Sequence, residues 1–194
     1  MNDGTIVVAG ATGNLGGRIA RALVEQGVGV KALVRHGTAQ HKLDRLREIG
    51  VTIASVDLRS PSQVTPACSR ASCVVSALQG LRDVIVETQT VLLDAAIDSD
   101  VPRFIPSDFS IDFTRFPPGE NRNLDLRRDF HKRLDKTSIA ATTIFQRCVC
   151  RYADRSDAAH SPQTEASPLL GRRGPAHGLH DDGRHGHIHG ERGS

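Results

Sequence analysis

The sequence predicts an α/β fold with a doubly wound parallel sheet. Short apolar runs rich in Val, Ile and Ala alternate along the chain with longer segments whose apolar residues recur at helical spacing. Several of the short runs are apolar at consecutive positions, as in strands that are covered on both faces. Repeated alternation of strand and helix places the strands in one parallel sheet between two layers of helices.

The first half of the chain carries three of the predicted strands. Residues 5–9 form a β-branched apolar run that ends at a glycine-rich segment, and apolar residues then recur at helical spacing from 15 to 23. A second run at 30–34 follows a short glycine-containing turn and precedes a polar helical stretch at 40–48. Residues 51–56 form the third run.

The second half predicts three further strands. A fourth apolar run at 73–77 is followed by a long helix whose apolar face extends from 81 to 96. Residues 103–106 form a short fifth strand, and a basic amphipathic helix has its apolar face between 126 and 134. The run at 141–145 closes the series, so the sheet is expected to have six strands.

The pattern of strands and helices stops after Gln146. Residues 147–194 are dominated by Gly, Arg, His, Asp and Ser. They contain one tyrosine, Tyr152, and no phenylalanine or tryptophan. So few apolar side chains bury too little surface to offset the entropy of ordering. We therefore divide the chain into a folded α/β domain at 1–146 and a disordered His-, Gly- and Arg-rich tail at 147–194.

Two interpretations of this tail stay open. Synonymous codons for residues 147–154, read one base out of frame, encode Gly-Ala-Phe-Ala-Asp-Met-Leu-Thr, an apolar continuation of the last strand. The first interpretation is therefore a single-base shift near Gln146 that replaced the continuation of the folded domain. In the second, the clustered histidines bind divalent metals. Without a fold to fix the ligands such binding is loose, so we predict no specific metal site.

Composition and charge exclude several classes of protein. The net charge of +3 is spread along the chain, which argues against a nucleic-acid partner. No apolar segment has the length of a membrane span, and the short run at 6–9 does not resemble a signal peptide. The four cysteines contain no paired Cys-x-x-Cys hooks, so neither a zinc site nor a disulfide scaffold is expected. We expect a reduced, cytoplasmic protein.

The segment between the first strand and the first helix is rich in glycine. Glycines at this junction let the backbone turn tightly and approach a pyrophosphate, and they let the helix pack closely on the sheet. The anion then meets the helix N-terminus, where free N–H groups and the helix dipole favour negative charge. The sequence therefore predicts a nucleotide-binding domain of Rossmann type. The residues expected to line the cofactor here are Gly10, Thr12, Gly13, Asn14, Leu15 and Gly16.

The end of the second strand predicts which cofactor is bound. A carboxylate at this point would hold the ribose hydroxyls of NAD and repel the 2′-phosphate of NADP. No Asp or Glu occurs between Glu25 and Asp44, and Arg35 stands at the strand end with His36 beside it. A guanidinium suits a phosphate in charge and geometry, so NADP(H) is favoured over a merely solvated arginine. Further cofactor contacts are expected at the ends of the third and fourth strands, from Asp57, Ser76, Ala77 and Gln79.

Four segments together resemble the NmrA-like proteins, atypical short-chain dehydrogenase relatives close to the isoflavone-reductase-like enzymes. They are residues 10–16, 33–35, 75–80 and 101–109, and the resemblance extends from residue 4 to about 146. It implies an NADP(H)-binding Rossmann domain followed by a smaller C-terminal substrate lobe, which is missing here. It also implies one of two functions, an NADPH-dependent oxidoreductase or a non-catalytic NADP(H)-sensing regulator that binds a protein partner.

Catalytic residues are not assigned by the sequence. Tyr152 is the only tyrosine, and Ser156 lies four residues on, so the Tyr-x-x-x-Lys pair of ordinary short-chain dehydrogenases is absent. The resemblance implies a helix lysine instead, but Arg127 stands near that position and cannot act as a base. Lys132 and Lys136 on the same helix are expected to be solvated. Loss of the lobe would leave such a reductase inactive.

Overall fold

The computed structural model describes residues 4–146, which contain a six-stranded, fully parallel sheet. The strand order is β3-β2-β1-β4-β5-β6, the order of a doubly wound Rossmann sheet, so the predicted fold class is confirmed. The tail at 147–194 lies outside the described residues. The strands are β1 (Thr5–Ala9), β2 (Val30–Val34), β3 (Thr52–Ser55), β4 (Ala71–Ser76), β5 (Arg103–Ile105) and β6 (Ala140–Ala141).

Helical connections join successive strands and cover both faces of the sheet. A π-helical segment at Asp83–Thr88 leads directly into the fourth helix, and a short 3-10 helix at Phe113–Arg115 precedes the fifth. None of the described helices is both long enough and apolar enough to cross a membrane. The helices are α1 (Asn14–Glu25), α2 (Gln40–Glu48), α3 (Pro61–Cys68), α4 (Gln89–Asp98) and α5 (Arg122–Leu134).

Alternate side chains of the central strands supply two separate hydrophobic cores. Val7 and Val74 point to the face covered by α3, α4 and α5, where Phe104 is also completely buried. Val8 and Val75 point to the opposite face, which α1 and α2 cover. Burial on both faces explains why these strands are apolar at consecutive positions in the sequence.

Helix α3 was not predicted from the sequence. Pro61 occupies its first turn, where a missing N–H is tolerated, but Pro66 lies inside the helix and weakens any helical pattern. The segment forms a helix because Val64 and Cys68 are buried against the sheet in the same core as Val7. Tertiary packing has therefore overridden a poor local propensity.

Other differences between prediction and structure lie at element ends. Strand β6 was predicted at 141–145 but contains two residues, because only Arg103 and Phe104 of β5 pair with it. The predicted helix at 81–96 is divided into the π-helical segment and α4. Strand β4 begins two residues earlier than predicted and ends at Ser76.

The two cysteines in the described part of the chain are buried free thiols. Burial raises the pKa of Cys68 to about 11, and the positive charge of Lys31 opposes this rise. Burial also raises the pKa of Cys73. Both thiols are therefore protonated at neutral pH and poor nucleophiles. No group of three or more His, Cys, Asp or Glu side chains that could hold a metal ion occurs between residues 4 and 146.

Candidate functional site

The loops that follow β1 and β4 meet at the carboxyl-terminal edge of the sheet. These two strands are neighbours, and their crossover connections run to opposite sides of the sheet, which makes this the topological switch point. The backbone N–H of Ala77 donates to the carbonyl oxygen of Ala9 at 2.8 Å. The structure thus brings Gly10 and Ala77, which the sequence assigned to one cofactor site, into direct contact.

Two glycines of the loop are required by the packing of backbone on backbone. Gly10 has a φ of +88°, and a Cβ on it would lie 2.4 Å from the carbonyl oxygen of Ala77. A Cβ on Gly16 would lie 2.2 Å from the carbonyl oxygen of Gly10. Side chains at either position would therefore force strand, loop and helix apart. A Cβ on Gly13 would meet only the Gly10 oxygen, at 3.3 Å.

The N-terminus of α1 opens onto this loop without a side-chain cap. Gly13 is the N-cap residue, and the first turn contains no acidic residue. The N–H groups of Asn14, Leu15 and Gly16 have no acceptor within the helix, since intrahelical bonding begins at Gly17, which donates to Gly13 at 2.9 Å. Such an end suits a phosphate. Thr12 is half-buried beside it.

Arg35 directly follows β2 and holds its guanidinium in solvent. Its carbonyl oxygen accepts from the backbone N–H and the hydroxyl of Thr38, at 3.1 and 2.7 Å, which closes a turn through Gly37 with a φ of +74°. The guanidinium forms no hydrogen bond or ion pair with any described residue. It is therefore a cation at the strand end with its donors unoccupied.

His36 fixes the neighbouring loops. Its Nδ1 lies 3.0 Å from the Ser55 hydroxyl, and its Nε2 lies 3.0 Å from Gln63 Oε1, which also accepts from the backbone N–H of Asp57 at 2.9 Å. Because Gln63 Oε1 only accepts, Nε2 of His36 carries a proton. The Asp57 carboxylate is exposed in the loop after β3, with Oδ1 accepting from the N–H of Arg59 at 2.9 Å.

The three residues predicted to contact the cofactor at the end of β4 differ in how accessible their side chains are to a ligand. Ser76 is the last strand residue rather than a loop residue, and its side chain is completely buried, with no partner for Oγ in the described part of the chain. Ala77 is half-buried against Gly10. Only Gln79 is exposed, so of the three only its side chain is accessible to a ligand.

A pocket of about 310 Å³ adjoins Gln79. Its walls come from the loop after β4, the π-helical segment, the loop after β5 and the first turns of α5. Arg127 is the only charged side chain among its lining residues, and it is half-buried. The lining residues are Gln79, Gly80, Ile85, Ser110, Ile111, Asn121, Asn123, Leu124 and Arg127.

The buried side chain of Gln89 holds the loops around this pocket in place. Its Oε1 accepts from the backbone N–H of Ser107 at 2.9 Å, and its Nε2 donates to the carbonyl oxygen of Ile85 at 3.0 Å. The Ser107 hydroxyl donates to the carbonyl oxygen of Leu78 at 2.5 Å. This chain of bonds ties the loop after β5 to the loop after β4.

Asp108 and the partly buried His131 form a hydrogen-bonded pair that the sequence did not predict. Asp108 is completely buried, and its Oδ2 lies 2.6 Å from Nε2 of His131 on α5, while its Oδ1 has no hydrogen-bond partner among the described residues. Because a carboxylate only accepts, the imidazole donates from Nε2. The only sequence signal was the position of Asp108 just after β5, at the ligand-binding edge of the sheet.

Arg127 lies one helical turn before His131 on α5. Its Nη1 donates to the carbonyl oxygen of Asn123 at 2.8 Å, and its buried Nε has no hydrogen-bond partner between residues 4 and 146. Burial lowers the pKa of Arg127, and the negative charge of Asp108 opposes this effect. Lys132 is exposed and bonded to Asp129 at 2.9 Å, and Lys136 is exposed, so neither lines the pocket.

The chain is similar in sequence to a known protein family and to several known proteins. Residues 2–121 match the model of the NmrA-like family. A probable pinoresinol-lariciresinol reductase of Arabidopsis thaliana is 27% identical over 128 residues, which cover 66% of this chain and 40% of that protein. The photosystem II assembly factor Ycf39 of Cyanophora paradoxa is 30% identical over 52% of this chain and 33% of that protein.

Solved structures share the fold. A structure of AtPrR2 with NADP+ and (+)pinoresinol superimposes with a TM-score of 0.65 at 25% identity, covering 75% of this chain and 50% of that one. A binary complex of leucoanthocyanidin reductase with NADPH from Vitis vinifera gives a TM-score of 0.63 at 24% identity, over 72% of this chain and 48% of that one. The chain therefore spans half or less of the length of each relative named here.

Proposed function

The chain belongs to the NmrA-like family, and from that membership we propose that it binds NADP(H) and is an NADPH-dependent oxidoreductase of the isoflavone-reductase-like group. One observation carries the proposal. The N-terminus of α1 has no side-chain cap and lies beside a loop that contains Gly10 and Gly16. Because these glycines have no side chains, a pyrophosphate can approach the backbone closely. The solved relative AtPrR2, whose structure is described with NADP+, has the same fold.

Different residues at the carboxyl-terminal edge of the sheet would bind different parts of the cofactor. The N–H groups of Asn14 and Leu15 would bind the pyrophosphate, and the guanidinium of Arg35, which pairs with no described residue, would bind the 2′-phosphate. Asp57 and Gln79 stand at the ends of β3 and β4, on either side of that path. When bound, reduced nicotinamide supplies a hydride. The pocket beside Gln79 would then receive the substrate.

Cofactor selection is tested by titrating NADPH and NADH and following nicotinamide fluorescence. We expect the protein to prefer NADPH, and Arg35→Gln to weaken NADPH binding by about tenfold or more, as loss of a charge-assisted hydrogen bond requires. NADH binding should stay unchanged. Arg21→Gln, an exposed arginine on α1, is the matched control. Equal affinity for the two cofactors in the unaltered protein would contradict the assignment of Arg35.

A non-catalytic NADP(H)-sensing regulator that binds a protein partner is the second candidate. It is favoured by the lining of the described pocket, which contains no lysine, tyrosine or histidine. Oxidation of NADPH in the presence of a panel of quinones and enones separates the two functions. Turnover supports the reductase, whereas measurable NADPH binding with no turnover across the panel supports the sensor.

We also infer that a single-base shift near Gln146 produced the sequence of residues 147–194, and that the chain has lost activity with the lobe that this sequence replaced. The similarity to AtPrR2 covers 75% of this chain and 50% of that one, and strand and helix periodicity in this chain stops after Gln146. Sequencing of the coding DNA tests the shift, since stop codons in the alternative frame would rule it out. Turnover by a chain with the restored frame, and none by the present one, would support the loss of activity.

A further inference from the structure

Gln63 joins two loops that carry proposed cofactor contacts. It lies on α3, and its Oε1 is 3.0 Å from Nε2 of His36 in the loop after β2. The same oxygen accepts from the backbone N–H of Asp57, in the loop after β3, at 2.9 Å. Arg35 directly precedes His36. One side-chain oxygen therefore holds the loop that carries Arg35 against the loop that carries Asp57.

The donors and acceptors in this network determine one another. Because the backbone N–H of Asp57 can only donate, the amide atom of Gln63 that it meets is the oxygen. The proton shared with His36 is therefore on Nε2, and Nδ1 of the same ring lies 3.0 Å from the hydroxyl of Ser55, which donates to it. Since a carbonyl oxygen has two lone pairs, Gln63 Oε1 accepts both of its hydrogen bonds at once.

The imidazole of His36 is held against elements of the sheet and of the helix layer. Ser55 is the last residue of β3, and it is paired in register with Val34, the last residue of β2. The backbone N–H of Val56 donates to the carbonyl oxygen of Val34 at 2.8 Å, which continues the pairing beyond the strand ends. The ring is therefore bound on one side to a strand end and on the other side to α3, and it cannot shift without breaking both contacts.

A closed turn transmits the position of His36 to Arg35. The carbonyl oxygen of Arg35 accepts from the N–H and the hydroxyl of Thr38, at 3.1 and 2.7 Å, and His36 and Gly37 are the central residues of this turn. Fixing His36 therefore also fixes the backbone from which the Arg35 side chain projects. A long side chain loses conformational entropy when it binds a ligand, and affinity is higher where the supporting backbone is already ordered.

We propose that Gln63 is a positioning residue for the selection of NADPH over NADH, because it holds His36 and thereby fixes the backbone that directs Arg35 toward the 2′-phosphate. The inference rests on the proposed function for the assignment of the 2′-phosphate to Arg35. It deepens that function by naming a specificity-determining residue on α3. The Oε1 of Gln63 is an acceptor and cannot itself bind a phosphate, so its effect on the phosphate is indirect.

Gln63→Met tests the proposal on the full chain, since it removes the acceptor and nearly preserves the length of the side chain. The affinities for NADPH and NADH are measured by nicotinamide fluorescence. We expect the ratio of the two affinities to fall by about three- to tenfold, through weaker binding of NADPH, because hydrogen bonds between exposed groups contribute modestly. A merely structural role would weaken both cofactors equally and leave the ratio unchanged. Gln26→Met makes the same chemical change at an exposed residue that follows α1, and it should leave the ratio unchanged.

A second variant, His36→Phe, identifies the contact responsible. It keeps a ring and removes both nitrogens, and it should lower the ratio by a similar factor. In the double variant Gln63→Met should have little further effect, because both changes break the same hydrogen bond.

An unchanged ratio in Gln63→Met, or losses that multiply in the double variant, would overturn the proposal. Both side chains are exposed, so the variants are expected to fold, and circular dichroism checks this. Absence of NADPH binding by the unaltered protein, or its equal affinity for the two cofactors, would refute the proposed function instead.

Discussion

Replacing Gly16 with alanine tests the packing on which the cofactor site depends. A Cβ at this position would lie 2.2 Å from the carbonyl oxygen of Gly10 and 3.0 Å from the Cα of Ala11. Non-bonded heavy atoms of this kind settle at roughly 3.5 Å. Either α1 or the glycine loop must therefore move by roughly 1 Å to admit the methyl group.

The size of the effect follows from two opposing contributions. Alanine is favoured over glycine inside a helix by about 1 kcal/mol. Overpacking typically costs about 1–3 kcal/mol, and the upper end applies here because the obstructing atoms are backbone. We expect the free energy of unfolding to fall by about 1–2 kcal/mol. Displacement of the N–H groups of Asn14 and Leu15 should weaken NADPH binding by about tenfold or more.

Urea denaturation and NADPH titration measure the two effects separately. Gly17→Ala is the matched control, since its Cβ would lie 3.2 Å from the carbonyl oxygen of Ala11 and needs a shift of only a few tenths of an ångström. It should change stability by less than about 1 kcal/mol in either direction. If Gly16→Ala matches the unaltered protein in both stability and NADPH affinity, the steric reasoning is wrong.

Two further predictions concern the loops and α5. Gln89→Leu leaves the buried N–H of Ser107 without its acceptor and should lower the free energy of unfolding, measured by urea denaturation, by about 1–3 kcal/mol. Thr90→Ala on the same helix is the control and should lower the free energy of unfolding by less. Equal losses in the two variants would contradict the role given to Gln89. The hydrogen bond from Lys132 lowers the pKa of Asp129, partial burial opposes it, and the bond from Arg82 lowers it further. Because the folded pKa lies below the unfolded one, the resulting stabilisation is present above pH 4 or so and is lost as pH falls through the folded pKa. The Tm of Asp129→Asn should therefore be lower than that of the unaltered protein at neutral pH, and the two Tm values should converge in acid. A difference in Tm that persists unchanged in acid would refute a stabilising role for the Asp129 carboxylate.

The fold was predictable because its signals are local. Continuous apolar runs such as 30–34 indicate strands buried on both faces, and the glycines between β1 and α1 mark a turn that no other residue fits. Two predictions about helices and strands were incomplete because they depend on contacts that are not local in the sequence. Helix α3 contains Pro66 and is stabilised by packing against the sheet, and the length of β6 is limited by how little of β5 is available for pairing.

The candidate site was predicted in part. The sequence indicated which loops reach the carboxyl-terminal edge, because parallel strands all end there, and Gly10, Gly16 and Arg35 lie at that edge. Their roles in binding the cofactor stay predictions. The sequence did not show that Ser76 is buried under the edge, nor that His36 is held by groups on β3 and α3.

By itself, the sequence determined the parallel sheet, the glycine loop and the cation after β2, because each depends on residues that are neighbours in the chain. Only the tertiary structure decided which polar groups are paired. Asp108 and His131 are 23 positions apart and meet because α5 packs over the end of β5. That pairing arises from a contact between distant segments, so no local pattern could have shown it.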